Sequence, residues 1–481
     1  MRTIIALMGN LLSLLAVMLI PSLTMSFLTD DGAQRPFLLS LGVVLLFALP
    51  SMLLKRKQQG GIQLTRKEGY ILLTLSWLFL SLFSALPYLL GGYTPSVADA
   101  FFEAVSGITS TGATILMDIE ALPDSMLLFR SLTQWVGGLG IILLTIAILP
   151  FFGVSNLQMF ASEASSLTRN RILPRFGETA RRILSVYLGL TLLLGLLLHW
   201  GGMNVLDSVC HALTTTSTGG FSTHQESIAY FHSPFIEYTT TLFMFMSGIN
   251  FFLLVMVMEG KFKHMFRDEE FRLYTVILGV FTLFIAFMLF ITSSMDVEES
   301  FRKAIFQVVS LCTSTGLSSD NMVWVPAVSC VLSLLMIMGG CAGSTSGGIK
   351  QIRILVMAKN AKNEFKHILH PSAFLPVRLN RQAVPDSLTR SILAFCFFYA
   401  LILCGATITL SALGSSLSQA LSCSISALGN MGPVMGSLQS EAVWSALPDL
   451  SKYLMMLLML LGRLELFAFL MLLHPTFWKK N

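Results

Sequence analysis

The chain has 481 residues, of which 54% are hydrophobic and only 12% charged, and a formal net charge of +5. That balance excludes a soluble globule and describes an integral membrane protein, with apolar runs of about 20 residues recurring along its length. The charge is no nucleic-acid signature, because the basic residues collect between the apolar runs; seven scattered cysteines without a Cys-x-x-Cys pair argue against a disulfide framework or a zinc site.

The first span, residues 4–27, follows Met1 and Arg2 directly. It opens like a signal peptide, but it is too long, lacks a small-residue cleavage site and is soon followed by a second span at 37–54, so it is expected to be retained. Beyond it one unit recurs four times: a span, a short weakly apolar helix, a polar loop with glycine, and a second span. The spans fall at 68–91 and 126–151, 182–203 and 235–258, 273–294 and 324–357, and 388–413 and 449–474. Between the members of each pair lie "AFFEAVSGITSTG", "DSVCHALTTTSTG", "AIFQVVSLCTSTG" and "ALSCSISALGNMG". The apolar part of each is too short to cross a bilayer.

Matching the Ser-Thr-Gly strings aligns Gly112, Gly219 and Gly316, at intervals of 107 and 97, and a further 116 residues reach Gly432. The expected fold is therefore an all-α integral membrane protein: four pseudo-symmetric helix–pore-loop–helix repeats around one pore, plus two extra N-terminal transmembrane helices. The corresponding division is 1–60 for the N-terminal pair and 61–155, 156–265, 266–365 and 366–481 for the repeats.

Charge sets the orientation. Basic residues crowd Lys55–Lys67, Arg169–Arg182, Lys261–Arg272 and Lys350–Arg390, whereas Asp30, Asp31, Asp99, Glu103, Asp118, Glu120, Asp124, Glu298, Glu299 and Asp320 occupy the opposite loops. The positive-inside rule makes the first set cytoplasmic. Both termini then lie inside, and every glycine loop lies on the outer side.

Gly, Ser and Thr weaken a helix, and irregular backbone persists at membrane depth only where it is buried in protein or lines a cavity. Such loops can present carbonyl oxygens that replace the hydration shell of K⁺. The candidate ligands are the carbonyls of Ser110, Thr111 and Gly112; Ser217, Thr218 and Gly219; Ser314, Thr315 and Gly316; and Asn430, Met431 and Gly432. Each short helix also directs its partially negative C-terminal end toward the centre, which favours a cation. Small residues can instead serve close helix packing, but three near-equal copies and a degenerate fourth favour a pore.

Two further features stand out. "MGGCAGSTSGG", Met338–Gly348, cannot hold a straight membrane helix, so the second span of the third repeat is expected to break there, just before Lys350. Arg463 lies mid-span, and an intramembrane charge is a functional candidate. It suits an electrostatic barrier below the loops or a bond to neighbouring helices. Glu465, two residues on, faces elsewhere and is no automatic partner. His211 sits in a short helix, where packing is the expected role. No phosphate-binding glycine motif, catalytic residue set or organic cofactor site stands out.

The motifs "STGAT", "TSTGGF", "TSTG" and "GNMGP", with "QWVGGLGIILL", "GGCAGSTSGGIK" and "GRLELF", resemble the TrkH branch of the Trk/Ktr/HKT potassium-transporter superfamily over essentially the full length, the two N-terminal spans included. The resemblance implies K⁺ uptake across the bacterial inner membrane. It implies a selectivity filter marked by one glycine per loop, with Gly112 pointing to K⁺. It also implies an intramembrane gating loop that includes Gly343, Ser344, Thr345, Ser346 and Gly347, with Lys350 and Arg463 as further gate residues. A homodimer and a TrkA-type cytosolic nucleotide-binding ring are implied as partners, with Ser155–Arg182 and Lys350–Arg390 as docking stretches. The fourth loop lacks the hydroxyl pattern of the others. The alternative, a proton-coupled carrier for another solute, would want mid-membrane ionisable residues and two inverted halves, whereas this chain has four parallel units and few such charges; an enzyme would want a converging acid–base or metal cluster, and none converges.

Overall fold

The computed structural model describes residues 2–55, 66–148, 173–293, 295–320, 325–373, 375–435 and 440–479. Most of Lys55–Lys67 and residues 155–172 of the expected docking stretch lie outside them, as do the 60/61 and 155/156 repeat boundaries.

The described chain is an all-α, multi-pass membrane architecture. An antiparallel pair, α1 (Arg2–Thr29) and α2 (Gln34–Lys55), precedes the first unit: α3 (Arg66–Ser84), α4 (Leu86–Gly91), α5 (Val97–Ile108) and α6 (Asp124–Ile148). The second unit has α7 (Leu173–Trp200), α8 (Val205–Thr216), a 3₁₀ turn (Ser227–Phe231), α9 (Pro234–Ser247), α10 (Phe251–Met258) and α11 (Phe262–Arg267). The third has α12 (Glu269–Thr292), α13 (Val297–Cys312), α14 (Pro326–Ile337) and α15 (Gln351–Leu369). After a small hairpin, β1 (Arg378–Leu379) and β2 (Gln382–Ala383), come α16 (Asp386–Ala412), α17 (Leu417–Gly429), α18 (Ser440–Ser445), α19 (Asp449–Arg463), α20 (Phe467–Leu473) and α21 (Pro475–Trp478). The hairpin turns through Asn380 and Arg381, both with positive φ, and the Asn380 amide ties it to Asp268 at the start of α12.

Among the described residues, six helical stretches are long and apolar enough to cross a bilayer unbroken: Leu7–Thr29, Gln34–Ser51, Lys67–Gly91, Gly177–Trp200, Glu269–Thr292 and Asp386–Ala412. The second spans of units two to four are broken. The interruption of the third was expected from its run of small residues, and the helix does stop at Ile337 and resume at Gln351. The spans expected to run straight over 235–258 and 449–474 do not: α9 and α10 meet at 104°, and α19 and α20 at 115°. The first bend follows from Gly248 and from Asn250, whose side chain caps α10 by accepting from Phe252 N–H. The second passes through Glu465 and Leu466, both at positive φ, a costly conformation for such side chains.

Lipid-facing apolar side chains such as Leu192, Leu196, Phe287 and Ile408 stay exposed, while the buried core forms where short helices meet second spans, around Phe102, Phe306, Leu311, Met336, Leu428 and Met431. The N-terminal pair packs against α6, with Phe37 and Phe129 edge to face at 5.7 Å.

Candidate functional site

Each unit builds its short helix from explicit start and stop signals. Ser96, Asn204 and Ser416 cap α5, α8 and α17 by accepting from the backbone N–H three residues on. Asp99, Asp207, Glu298 and Glu299 add acidic side chains to the first turns of α5, α8 and α13. At the other end all four helices stop identically. Ser110, Thr218, Ser314 and Asn430 adopt the left-handed conformation, with φ of 50°, 52°, 55° and 54°. The next N–H reaches back five residues: Thr111 to the Ser106 carbonyl at 2.9 Å, Gly219 to Thr214 at 2.8 Å, Thr315 to Ser310 at 2.8 Å and Met431 to Ser426 at 3.0 Å. These are Schellman-type stops that satisfy the last carbonyls and turn the chain sharply. One residue further, Gly112, Gly220, Gly316 and Gly432 again have positive φ, between 79° and 87°, where a side chain would be strained.

The four loops close into a ring. A methyl group added to Gly112 would overlap the Gly219 carbonyl oxygen, one on Gly220 that of Thr315, and one on Gly316 that of Met431; one on Gly432 would sit 2.9 Å from both the Thr111 and the Gly112 carbonyl oxygens. Every loop thus presses its glycine backbone against the next loop's carbonyl, and the fourth returns to the first.

This geometry corrects the string alignment by one residue in the second loop. Gly220, not Gly219, is the counterpart of Gly112, Gly316 and Gly432; Gly219 corresponds to Thr111, and Ser217 to the capping Thr109. The string "STG" is out of step there because the second loop carries two successive glycines, Gly219 and Gly220. Spacing from the helix cap was the better signal, since Ser96 to Gly112, Asn204 to Gly220 and Ser416 to Gly432 are each 16 residues, and the third loop has 20 from Asp296 to Gly316. The degenerate fourth loop keeps the same backbone because Asn tolerates the left-handed conformation. Its Asn430 amide donates to Thr111 Oγ1 at 2.9 Å and to the Met459 carbonyl at 2.8 Å.

Directly beneath the ring lies the 338–350 loop. Its two ends are joined by Gly339 N–H to Ile349 O at 2.8 Å and Ile349 N–H to Ile337 O at 3.0 Å. Within it Ser344 and Ser346 hydroxyls bond to each other at 2.7 Å, and Lys350 Nζ donates to the Ser346 carbonyl. The loop is stitched upward: Gly347 N–H donates to Ser314 Oγ at 2.5 Å, and Thr345 Oγ1 reaches the Thr216 and Ser247 carbonyls at 3.4 and 3.3 Å. Gly343 O accepts from Phe251 N–H at 3.1 Å, at the bend between α9 and α10. Below, Glu270 Oε1 accepts from Ala342 and Ile352 N–H at 2.6 and 3.0 Å, which moors both flanks.

Arg463 joins ring and loop. It is 2% exposed, and its guanidinium donates to Thr345 O at 2.9 Å, Gly137 O at 3.0 Å and Ser110 Oγ at 3.2 Å. No carboxylate pairs with it among the described residues. Glu465 instead pairs with Arg353 at 2.6 Å, consistent with its facing away. His211 is buried, with Nδ1 against the Asp207 carbonyl and Nε2 3.0 Å from Ser222 Oγ, a packing arrangement.

The sequence reading missed the scaffold behind the loops. Glu103 accepts from Thr114 Oγ1 at 2.5 Å and Ile115 N–H at 2.7 Å, and Arg130 lies 3.5 Å from Glu103 and covers the Phe221 ring at 4.2 Å. Lys452 and Asp99 pair at 2.6 Å between α19 and α5. Lys452 and Asp99 lie 353 positions apart, and none of these contacts falls at a helix-neighbour spacing that a local pattern would reveal. The arrangement brings backbone carbonyls of four loops together at the C-terminal ends of four short helices, with the hydrogen-bonded 338–350 loop and the positive side chains of Arg463 and Lys350 beside them.

A family model described as TrkH, a cation transport protein, matches residues 38–480. The chain is 36% identical over 490 residues to the Trk system potassium uptake protein TrkH of Escherichia coli strain K12, covering 100% of this chain and 99% of that protein. It is 34% identical to the TrkH of Halomonas elongata over 484 residues, with 100% of both covered. The crystal structure of the potassium transporter TrkH from Vibrio parahaemolyticus superposes with a TM-score of 0.90 at 32% identity, over 99% of each chain.

Proposed function

The chain belongs to the TrkH family of cation transport proteins, and from that membership we propose that it is the K⁺-conducting subunit of a Trk-type potassium uptake system. The ion sheds its water into the carbonyl ring formed by Ser110–Gly112, Thr218–Gly220, Ser314–Gly316 and Asn430–Gly432. The single observation that carries this reading is the closed circuit of glycines against carbonyls. It gives four backbone segments a common geometry in which oxygens can replace a hydration shell without a formal negative charge.

The 338–350 loop is the gate. Its hydrogen bonds to Ser314, Thr216 and Arg463 hold it closed under the ring, and conduction requires them to be exchanged. The helices that follow, α15 and α20, carry the signal from a cytosolic nucleotide-binding TrkA-type ring, and the complex is a homodimer in a bacterial inner membrane with both termini cytoplasmic. The division into repeats at 61–155, 156–265, 266–365 and 366–481 follows the four loops. K⁺ is cargo, and no catalytic step is assigned.

The test is flux in proteoliposomes with K⁺, Na⁺ and H⁺ gradients varied one at a time. A reversal potential that follows K⁺ supports a K⁺-selective conduit, and Rb⁺ should substitute. A reversal potential set by Na⁺ or H⁺ alone would reject the filter reading.

A further inference from the structure

The second loop departs from the first and third at the residue after its left-handed stop. There the first and third carry Thr111 and Thr315, whose hydroxyls pair with the capping Thr109 and Thr313 at 2.7 and 2.8 Å. The second carries Gly219, whose φ is not in the left-handed region, so its backbone does not require glycine. The reason is steric. A methyl group on Gly219 would meet Gln134 Cδ at 2.5 Å and its Cβ at 2.9 Å.

Gln134, on α6 and fully buried, fills the space that a side chain at 219 would need. Its Nε2 donates to the Gly219 carbonyl at 2.8 Å, and its Oε1 accepts from Phe221 N–H at 3.0 Å. The amide orientation follows from chemistry, because a carbonyl can only accept and an N–H can only donate. The two bonds bracket Gly220, the ring glycine. The backbone carbonyl of the same residue accepts from Ser110 Oγ at 2.9 Å, on the first loop. One residue thus fixes the second loop on both sides of its ring position and contacts the first.

We propose that Gln134 is a positioning residue for ion selectivity, doing for the second loop what the threonine hydroxyl pair does for the first and third. The proposal rests on the filter reading above. It explains why the glycine doublet occurs in the second loop: Gly220 is there for its backbone and Gly219 to admit Gln134.

The experiment measures Rb⁺ and Na⁺ permeation in proteoliposomes, normalised to folded protein, for five variants. Gln134→Leu keeps most of the volume but leaves a buried carbonyl and N–H without partners. It should lower the Rb⁺/Na⁺ ratio about tenfold, the scale of one buried hydrogen bond. If it does not accumulate folded, Gln134→Glu, which keeps the shape and removes the amide donor, decides in its place. Gly219→Thr alone, in collision with Gln134, should also lose selectivity. Gln134→Gly combined with Gly219→Thr should recover most of it, because it removes both the amide and the Cβ that a side chain at 219 would meet, and the new hydroxyl can pair with Ser217, which caps α8 as Thr109 caps α5. That non-additivity is the signature of a shared space. A wild-type ratio in Gln134→Leu, or a double variant no better than the singles, overturns the proposal. Gly220→Ala is the gauge. If it lowers the ratio while Gln134→Leu does not, only the role of Gln134 fails; if it too leaves the ratio unchanged, the filter reading fails and takes this inference with it.

Discussion

Arg463→Ala should raise K⁺ flux, and the structure separates two reasons. The first is charge. The guanidinium touches Ser110 Oγ, on the first residue of the first loop's ring segment, and no carboxylate pairs with it among the described residues. A unit charge about 6 Å from a permeating ion, at an effective dielectric of about 20, raises its energy by about 3 kcal/mol before screening by water. With about 1.4 kcal/mol per decade of rate, removal should speed flux by about ten- to a hundredfold. The second is tethering, since the bond to Thr345 O at 2.9 Å helps hold the loop closed. Arg463→Lys discriminates between them. It keeps the charge but cannot reproduce a planar fork to three acceptors. Lysine flux near wild type assigns the effect to charge, and lysine flux near that of the alanine variant assigns it to the tether. Liposome or single-channel flux, normalised to folded protein, is the assay. Flux per molecule that falls or stays unchanged in Arg463→Ala would refute both.

Three more perturbations follow. Gly112→Ser and Gly220→Ala should each weaken Rb⁺ over Na⁺ uptake several-fold, because a side chain at positive φ there displaces a neighbouring carbonyl; Gly279→Ala, which meets only open space, should leave the uptake ratio unchanged, and equal ratios in all three variants would count against the ring. Deleting Gly343–Gly347 removes the bonds to Ser314 and Arg463 and should raise basal K⁺ flux while reducing its dependence on the cytosolic partner; zero flux in well-folded protein would make the segment structural. Asp99→Asn leaves the buried Lys452 ammonium with only the exposed Asp449 carboxylate at 4.0 Å and should cost about 3 kcal/mol, read as a lower thermal midpoint in detergent, whereas Asp99→Leu with Lys452→Met should recover most of it; an unchanged midpoint in Asp99→Asn would show the pair to be dispensable.

The architecture was legible because membrane helices are written in length and apolarity, and because fourfold repetition multiplies a weak loop signal. The break at Met338–Gly348 was legible because eleven residues dominated by Gly, Ser, Thr and Ala cannot hold a straight membrane helix. The bends after Ser247 and Arg463 were not. The first rests on one glycine and one asparagine cap, and the second on Glu465 and Leu466 in a conformation their side chains disfavour, which tertiary packing imposes. The register of the four loops was legible in the cap-to-glycine spacing, but the string "STG" is one residue out of step in the second loop. Gln134 stood inside a recognised motif, yet its partners Gly219 and Phe221 lie 85 and 87 residues away, and nothing local in the sequence announces a hydrogen bond across that interval.

The central claim, that the ion passes through the ring of four loops, is tested most directly by anomalous diffraction from crystals of the transport-competent protein grown in Rb⁺ or Tl⁺. The account predicts anomalous density on the axis between the carbonyls of Thr111, Gly219, Thr315 and Met431, lost when Rb⁺ is replaced by Na⁺. Density elsewhere in the membrane region with none in the ring, in protein that still transports Rb⁺, would contradict it.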